Sequence, residues 1–148
     1  MKKTRYLPYL LLCTALVLTA CGTQKIPAER PALQATAGGT IVYEGKGSGS
    51  WDSGGTYEIS CPPALEDQAA RLSPTEVQAE TAELTFDFPP ATVSAACWQW
   101  EDGVLKQGKT TVSGDGALAL QPGAWIYQIT AVWSGTGDGT YVFAIHRK

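Results

Sequence analysis

Few side chains in this sequence could carry out covalent chemistry. His146 is its only histidine and stands at the end of an apolar strand pattern, where a solvated strand end is the simpler interpretation. Adjacent carboxylates at positions 66–67 and 101–102 could hydrolyse a glycosidic bond, but both pairs lie in predicted loops or turns. The glycine-rich residues 135–139 lack the lysine and the strand–loop–helix context of a phosphate-binding loop. We therefore expect no catalytic residue, no metal site and no cofactor.

The five tryptophans are the other side chains with a recognisable chemistry. Flat indole faces suit sugar rings, but tryptophan is highly buried on average and fills the core of small domains. We assign Trp125 and Trp133 to the core. Trp51 stands in a Gly/Ser-rich loop and Trp100 precedes an acidic turn. These two are the candidate ligand contacts.

Residues 92–100 leave the position of another tryptophan open. A period of two places Cys97 on one face of this strand and Trp98 with Trp100 on the other, so both faces cannot belong to one core. A β-bulge would turn Cys97 and Trp98 inward together. Because burying an indole gains a few kcal/mol, we predict that Trp98 is buried and Trp100 is partly exposed.

The first twenty residues predict export. Lys2, Lys3 and Arg5 precede the apolar residues 7–20, which would span about 21 Å as a helix and are too short for a bilayer core of about 30 Å. Residues 18–21 (LTAC) resemble the lipobox of bacterial lipoproteins. The resemblance implies a signal peptide at 1–20, a diacylglycerol on Cys21 and a place on the extracytoplasmic face of the cell membrane. The alternative is an ordinary secretory signal with an incidental cysteine.

Cleavage before Cys21 would leave Cys61 and Cys97 as an even pair in an oxidising compartment. We therefore predict a disulfide between them, which would stabilise the fold by roughly 4 kcal/mol through closure of a loop of about 37 residues. A redox thiol would need a CxxC spacing or a nearby histidine. Two cysteines and one histidine without ligand spacing do not form a zinc site.

Charge excludes nucleic acid as a partner. Without residues 1–20 the chain has eight basic and fourteen acidic residues, a net charge of −6. An acidic domain without a basic stripe does not bind a phosphate backbone.

The rest of the chain predicts strands. Residues 21–39 are polar and rich in Ala and Pro, which is typical of a flexible, lipid-anchored linker. Residues 40–148 form one predicted domain with apolar residues mostly at period two, separated by Gly and Pro turns. Only residues 63–80 have a helical composition, and Pro74 interrupts them. The pattern favours an all-β, antiparallel β-sandwich with seven to eight short strands and at most one short helix.

Three segments add a family resemblance. Residues 121–133 (QPGAWIYQITAVW) and 139–145 (GTYVFAI) resemble the end of small lipoprotein domains of Gram-positive bacteria. Residues 84–98 (LTFDFPPATVSAACW) are similar to their middle segment. The resemblance implies an Ig-like β-sandwich in the cell envelope and no assigned activity.

Two functions fit these observations. The first is a non-enzymatic, lipid-anchored cell-surface module that binds another envelope protein, such as a sensor or an inhibitor of an extracellular enzyme. The second is a glycan- or cell-wall-binding module that uses exposed tryptophans. Under either hypothesis we expect a monomer attached to the membrane by its lipid.

Overall fold

The computed structural model describes residues 24–148, so the predicted signal peptide and Cys21 lie outside the described residues. The described part contains eleven strands and one short helix. In chain order these are β1 (Leu33–Ala37), β2 (Thr40–Gly45), β3 (Ser48–Asp52), β4 (Tyr57–Ser60), α1 (Leu65–Ala69), β5 (Thr75–Val77), β6 (Thr81–Phe86), β7 (Thr92–Glu101), β8 (Val104–Gln107), β9 (Ala117–Ala119), β10 (Gly123–Trp133) and β11 (Gly137–Arg147).

The strands form two sheets. The smaller sheet has the order β2-β1-β6-β9, and the larger one has the order β4-β3-β11-β10-β7-β8. Strand β5 extends the larger sheet by pairing in parallel with the end of β11, and all other strand pairs are antiparallel. The prediction of an all-β, antiparallel sandwich is confirmed, with more strands than the seven to eight expected.

The core lies between the two sheets. Along β10, Tyr127, Ile129 and Ala131 are fully buried and alternate with more exposed residues. Leu33 and Ala35 of the smaller sheet belong to the same buried cluster. Since side chains of a strand alternate between its faces, only one face of each sheet contributes to this core.

The linker prediction was wrong from about residue 27 onwards. Residues 33–37 form β1, a central strand of the smaller sheet, because their alternate small apolar side chains fit between the sheets. Upstream of β1, Arg30 is buried, with 4% of the residue exposed. Its guanidinium donates hydrogen bonds to the carbonyls of Lys46, Gly47 and Gly49 at 3.0, 2.9 and 3.0 Å. The folded domain therefore begins before Thr40.

Strand β3 lies in the segment predicted as a Gly/Ser loop. Its glycines are needed because β3 and the start of β11 approach each other closely. A Cβ on Gly49 would lie 2.2 Å from the Asp138 carbonyl oxygen, and one on Gly137 would lie 2.1 Å from the Ser50 carbonyl oxygen. Both glycines also have positive φ angles. The composition that suggested a loop is thus what permits this pairing.

The predicted disulfide is absent, and both cysteines are free. Cys61 is exposed just after β4, whereas Cys97 points into the core from β7. Three strands separate β4 from β7 in the larger sheet. At about 4.8 Å per strand, β4 and β7 lie about 19 Å apart, whereas a disulfide tolerates a Cα separation of about 7 Å. Cys61 is also exposed while Cys97 is enclosed in the core.

Candidate binding face

The larger sheet has a second side that faces away from the core. We call the outward side chains of β3, β7, β10 and β11 the outer face. Helix α1 and the segment after it cover one end of this face, where Ile126 and Ala144 pack against Ala69 in a second small cluster. Residues outside that end are half-buried or exposed.

Strand register arranges the outer face in rows. Ser94, Thr130, Thr140 and Ser48 pair in sequence across β7, β10, β11 and β3. We call these four residues the hydroxyl row. A second row contains Ala96, Gln128 and Val142, and a third contains Gln107, Trp98, Ile126 and Ala144.

Trp98 belongs to the outer face, so the prediction that it is buried was wrong. The register of β7 with β10 runs unbroken from Trp98 to Thr92, and without a β-bulge Cys97 and Trp98 must point in opposite directions. Cys97 occupies the core and is 0% exposed. Trp98 is half-buried and lies between Ile126 of β10 and Gln107 of β8.

Trp100, a predicted ligand contact, lies two residues further along the same face. It is half-buried and packs in the second cluster with Leu72 and Leu105. It also lines an apolar cavity of about 180 Å³ together with Leu72, Pro74 and Trp125. The expectation that Trp100 is partly exposed is confirmed, and Trp100 extends the aromatic part of the outer face begun by Trp98.

Trp51 cannot contact a ligand as it was predicted to do. It is 0% exposed, with its ring 5.3 Å from that of Trp133 in an edge-to-face arrangement. Its Nε1 donates a hydrogen bond to the carbonyl of Pro27 at 2.9 Å. The pairing of β3 with β11 turns this side chain into the core, whereas a loop would have left it in solvent.

Charge is scarce along the central strands of the outer face. Among the outward positions of β7 from Thr92 to Trp98, of β10 from Ile126 to Val132 and of β11 from Asp138 to Ala144, only Asp138 is ionisable. Its carboxylate accepts hydrogen bonds from the Ser50 hydroxyl and, at 3.3 Å, from the Ser50 N–H. The outer face therefore presents hydroxyls, amides and apolar groups with little net charge.

His146 lies at the margin of this face, beside the end of β5. Its Nδ1 is 4.0 Å from Glu76, whose other oxygen contacts the Lys148 ammonium at 2.5 Å. The hydrogen bond from Lys148 lowers the pKa of Glu76. Within residues 24–148 no cluster of three His, Cys, Asp or Glu side chains could hold a metal ion.

The two free cysteines have opposite environments. Burial raises the pKa of the Cys97 thiol, so this thiol stays protonated at neutral pH and is a poor nucleophile. Cys61 is exposed and lines a shallow cavity with Pro62, Pro63 and Gln68.

Sequence reasoning missed the hydroxyl row as a unit. Period two in residues 92–100 placed Ser94 with Trp98, and the same rule applied to β10 would have placed Thr130 beside Gln128. The pairing of β10 with β7 and β11, which aligns these residues, depends on register that a single strand does not encode.

Comparison with known proteins adds no relative: no family model, no curated protein and no solved structure matches this chain. In the part of the chain that the structure describes, no helix has the length and apolar character to cross a bilayer.

Proposed function

We propose that this chain is a non-enzymatic binding domain, held by a lipid on Cys21 at the extracytoplasmic face of the cell membrane, that binds another envelope molecule through its outer face. The single observation that carries this proposal is that the outer face stays largely uncovered although the core is complete without it. A half-exposed tryptophan on such a face is typical of interaction surfaces.

Contacts at the start of the domain support a short tether. The Pro27 carbonyl accepts a hydrogen bond from Trp51, and the Pro31 carbonyl accepts one at 2.8 Å from the buried Tyr141 hydroxyl. Only residues 22–26 then separate Cys21 from the first anchored residue. Fully extended, this segment reaches about 20 Å. The lipid would therefore hold the domain close to the bilayer surface.

The position of Pro27 indicates which end would face the membrane. Its partner Trp51 packs on Trp133, whose Nε1 donates to the Phe88 carbonyl at 3.0 Å. The loops at 53–56, 87–91 and 134–136 belong to this end. With that end toward the lipid, the strands would run roughly parallel to the membrane normal. The outer face would then point sideways, away from the bilayer, and remain open to the envelope.

The anchor is tested by fractionating cells that express the full chain. We expect wild type to partition into the detergent phase and Cys21→Ser to be released or left unprocessed. Cys61→Ser is the matched control and should partition as wild type does. Processed Cys21→Ser that stays membrane-bound would contradict the anchor.

The binding face is tested by capture from envelope extracts. Thr130→Lys places a charge in the hydroxyl row, whereas Thr85→Lys places the same charge on an exposed strand position of the smaller sheet. We expect Thr130→Lys to lose the material that wild type retains and Thr85→Lys to keep it. Equal capture by both variants would mean that binding occurs elsewhere.

A further inference from the structure

The hydroxyl row is regular enough to suggest a ligand. Its four side chains stand on four neighbouring strands at paired positions. With about 4.8 Å between strands, the row is about 14 Å long. A Ser or Thr hydroxyl can both donate and accept a hydrogen bond. The Ser48 hydroxyl already donates to the Thr140 carbonyl at 3.5 Å, and a ligand rich in hydroxyls could bond to the other three at once.

The rows beside it supply two further kinds of group. Gln128 lies next to Thr130 on the outer face of β10 and carries an amide that both donates and accepts. Trp98 lies one row further on and offers part of an indole face. Rows on one strand face are about 7 Å apart, so hydroxyl, amide and indole lie within the span of a few sugar units.

The charge of this face narrows the ligand class. Residues 24–148 have a net charge of −6, yet the only carboxylate among the central outward positions, Asp138, is already hydrogen-bonded by Ser50. An anionic polymer finds no lysine or arginine there, and a basic peptide finds no free carboxylate. A protein partner would also favour an apolar, aromatic centre, whereas the centre here is Thr130 with its hydroxyl neighbours.

We infer that the outer face binds an uncharged, extended glycan chain laid across strands β7, β10 and β11. Sugar hydroxyls bond to the hydroxyl row and to Gln128, and one sugar ring stacks its C–H face on Trp98. An extended chain fits because the part of the face on β7 and β10 is open, while Thr140 and Val142 of β11 border a cavity that Pro62, Pro63 and Gln68 close on one side. This inference rests on the proposed role of the outer face in binding.

Calorimetry on the full chain tests the inference, in a detergent without a sugar headgroup so that the micelle does not compete. The probes are cellohexaose and chitohexaose, with polygalacturonate as the charged comparison. We expect at least one hexaose to bind and polygalacturonate not to bind. Trp98→Ala should weaken the hexaose by about tenfold, as expected for loss of a central aromatic contact.

Two threonine variants keep the test independent of any effect of Trp98 on folding. Thr130→Val removes one hydroxyl from the row while keeping the side-chain shape, and should weaken binding several-fold. Thr85→Val makes the same change at an exposed position of the smaller sheet and should leave binding unchanged.

Failure of the inference differs from failure of the proposed function. If neither hexaose binds, or if Thr130→Val and Thr85→Val bind equally, the glycan site is refuted. If an envelope protein is instead captured by wild type and lost in Thr130→Lys, the outer face is a binding surface but its ligand is a protein. If Thr130→Lys and Thr85→Lys capture the same material as wild type, the proposed function itself fails.

Discussion

Replacing Arg30 tests whether the segment before β1 is an integral part of the fold. The Arg30 guanidinium donates to the carbonyls of Lys46 and Gly47 in the β2–β3 turn and of Gly49 in β3, and its Nη2 lies 3.7 Å from the Glu58 carboxylate. Arg30→Met keeps most of the side-chain volume but removes every donor. The turn carbonyls would then have to be solvated by water or left without a partner.

The expected loss follows from the number and kind of these contacts. Hydrogen bonds from a charged group contribute about 1.5–3 kcal/mol each, but the three share one side chain and water can reach parts of the turn. A buried carbonyl left without a partner costs about 1–3 kcal/mol, so three carbonyls that water reaches in part should cost about 3–5 kcal/mol together. We expect that loss in the free energy of unfolding, a large share of the roughly 5–15 kcal/mol of a small domain.

Urea unfolding followed by tryptophan fluorescence measures this effect. Lys46→Ala is the control, since its ammonium contacts only the exposed Glu29 carboxylate and a surface ion pair contributes at most about 1 kcal/mol. The stability of Arg30→Lys should fall between those of Arg30→Met and Lys46→Ala, because one ammonium cannot reproduce the planar set of N–H donors of a guanidinium. An Arg30→Met domain within about 1 kcal/mol of wild type would refute the idea that this segment is anchored.

The remaining predictions concern the cysteines, the tryptophans and one tyrosine. A thiol reagent should modify Cys61 in the native protein and Cys97 only after unfolding. If neither cysteine reacted before or after unfolding, the two would form the disulfide predicted from the sequence. Trp51→Ala should cost about 3–5 kcal/mol of stability and Trp98→Ala under about 1.5 kcal/mol, so equal unfolding midpoints would contradict their placement. Burial raises the pKa of Tyr127 to about 12 from its ordinary 10.0. Because the folded state holds this proton more tightly, the stabilisation is complete below pH 10 and lost as pH rises toward 12. Tyr127→Phe should therefore flatten the alkaline fall in stability, and an unchanged slope would count against this burial.

The fold class followed from the sequence because period two is a strong signal in long strands. In β10 every second residue from Trp125 to Trp133 packs in or against the core, and the large aromatic side chains of the strand all lie on this side. Such a stretch has only one way to bury its apolar side. The adjoining Pro-Gly and Gly-rich turns then separate it from its neighbours.

Three strands escaped prediction because tertiary contacts form them. Strand β1 buries alanines that are too small to give an apolar signal, and β3 depends on glycines whose composition suggested a loop. Strand β5 has three residues and exists by pairing with Ile145–Arg147 at the end of β11. Strand propensity, which is assigned residue by residue, does not take these tertiary neighbours into account.

The candidate site was only partly predictable for the same reason. Trp100 was selected correctly as a half-exposed residue, but Trp51 was misplaced along with β3. The disulfide prediction counted cysteines without strand order, and the order of the larger sheet separates Cys61 from Cys97. Composition identifies the groups that are present, whereas register decides which of them meet.

The proposal with the widest consequences is that the outer face of the larger sheet binds an uncharged glycan. Amide NMR spectra of the isotope-labelled chain, recorded while cellohexaose or chitohexaose is added, test it most directly. We expect shifted resonances to cluster at Ser94, Thr130 and Thr140, while those of Thr81 and Thr85 in the smaller sheet stay in place. Shifts centred on the smaller sheet, or no shift at saturating hexaose, would contradict it.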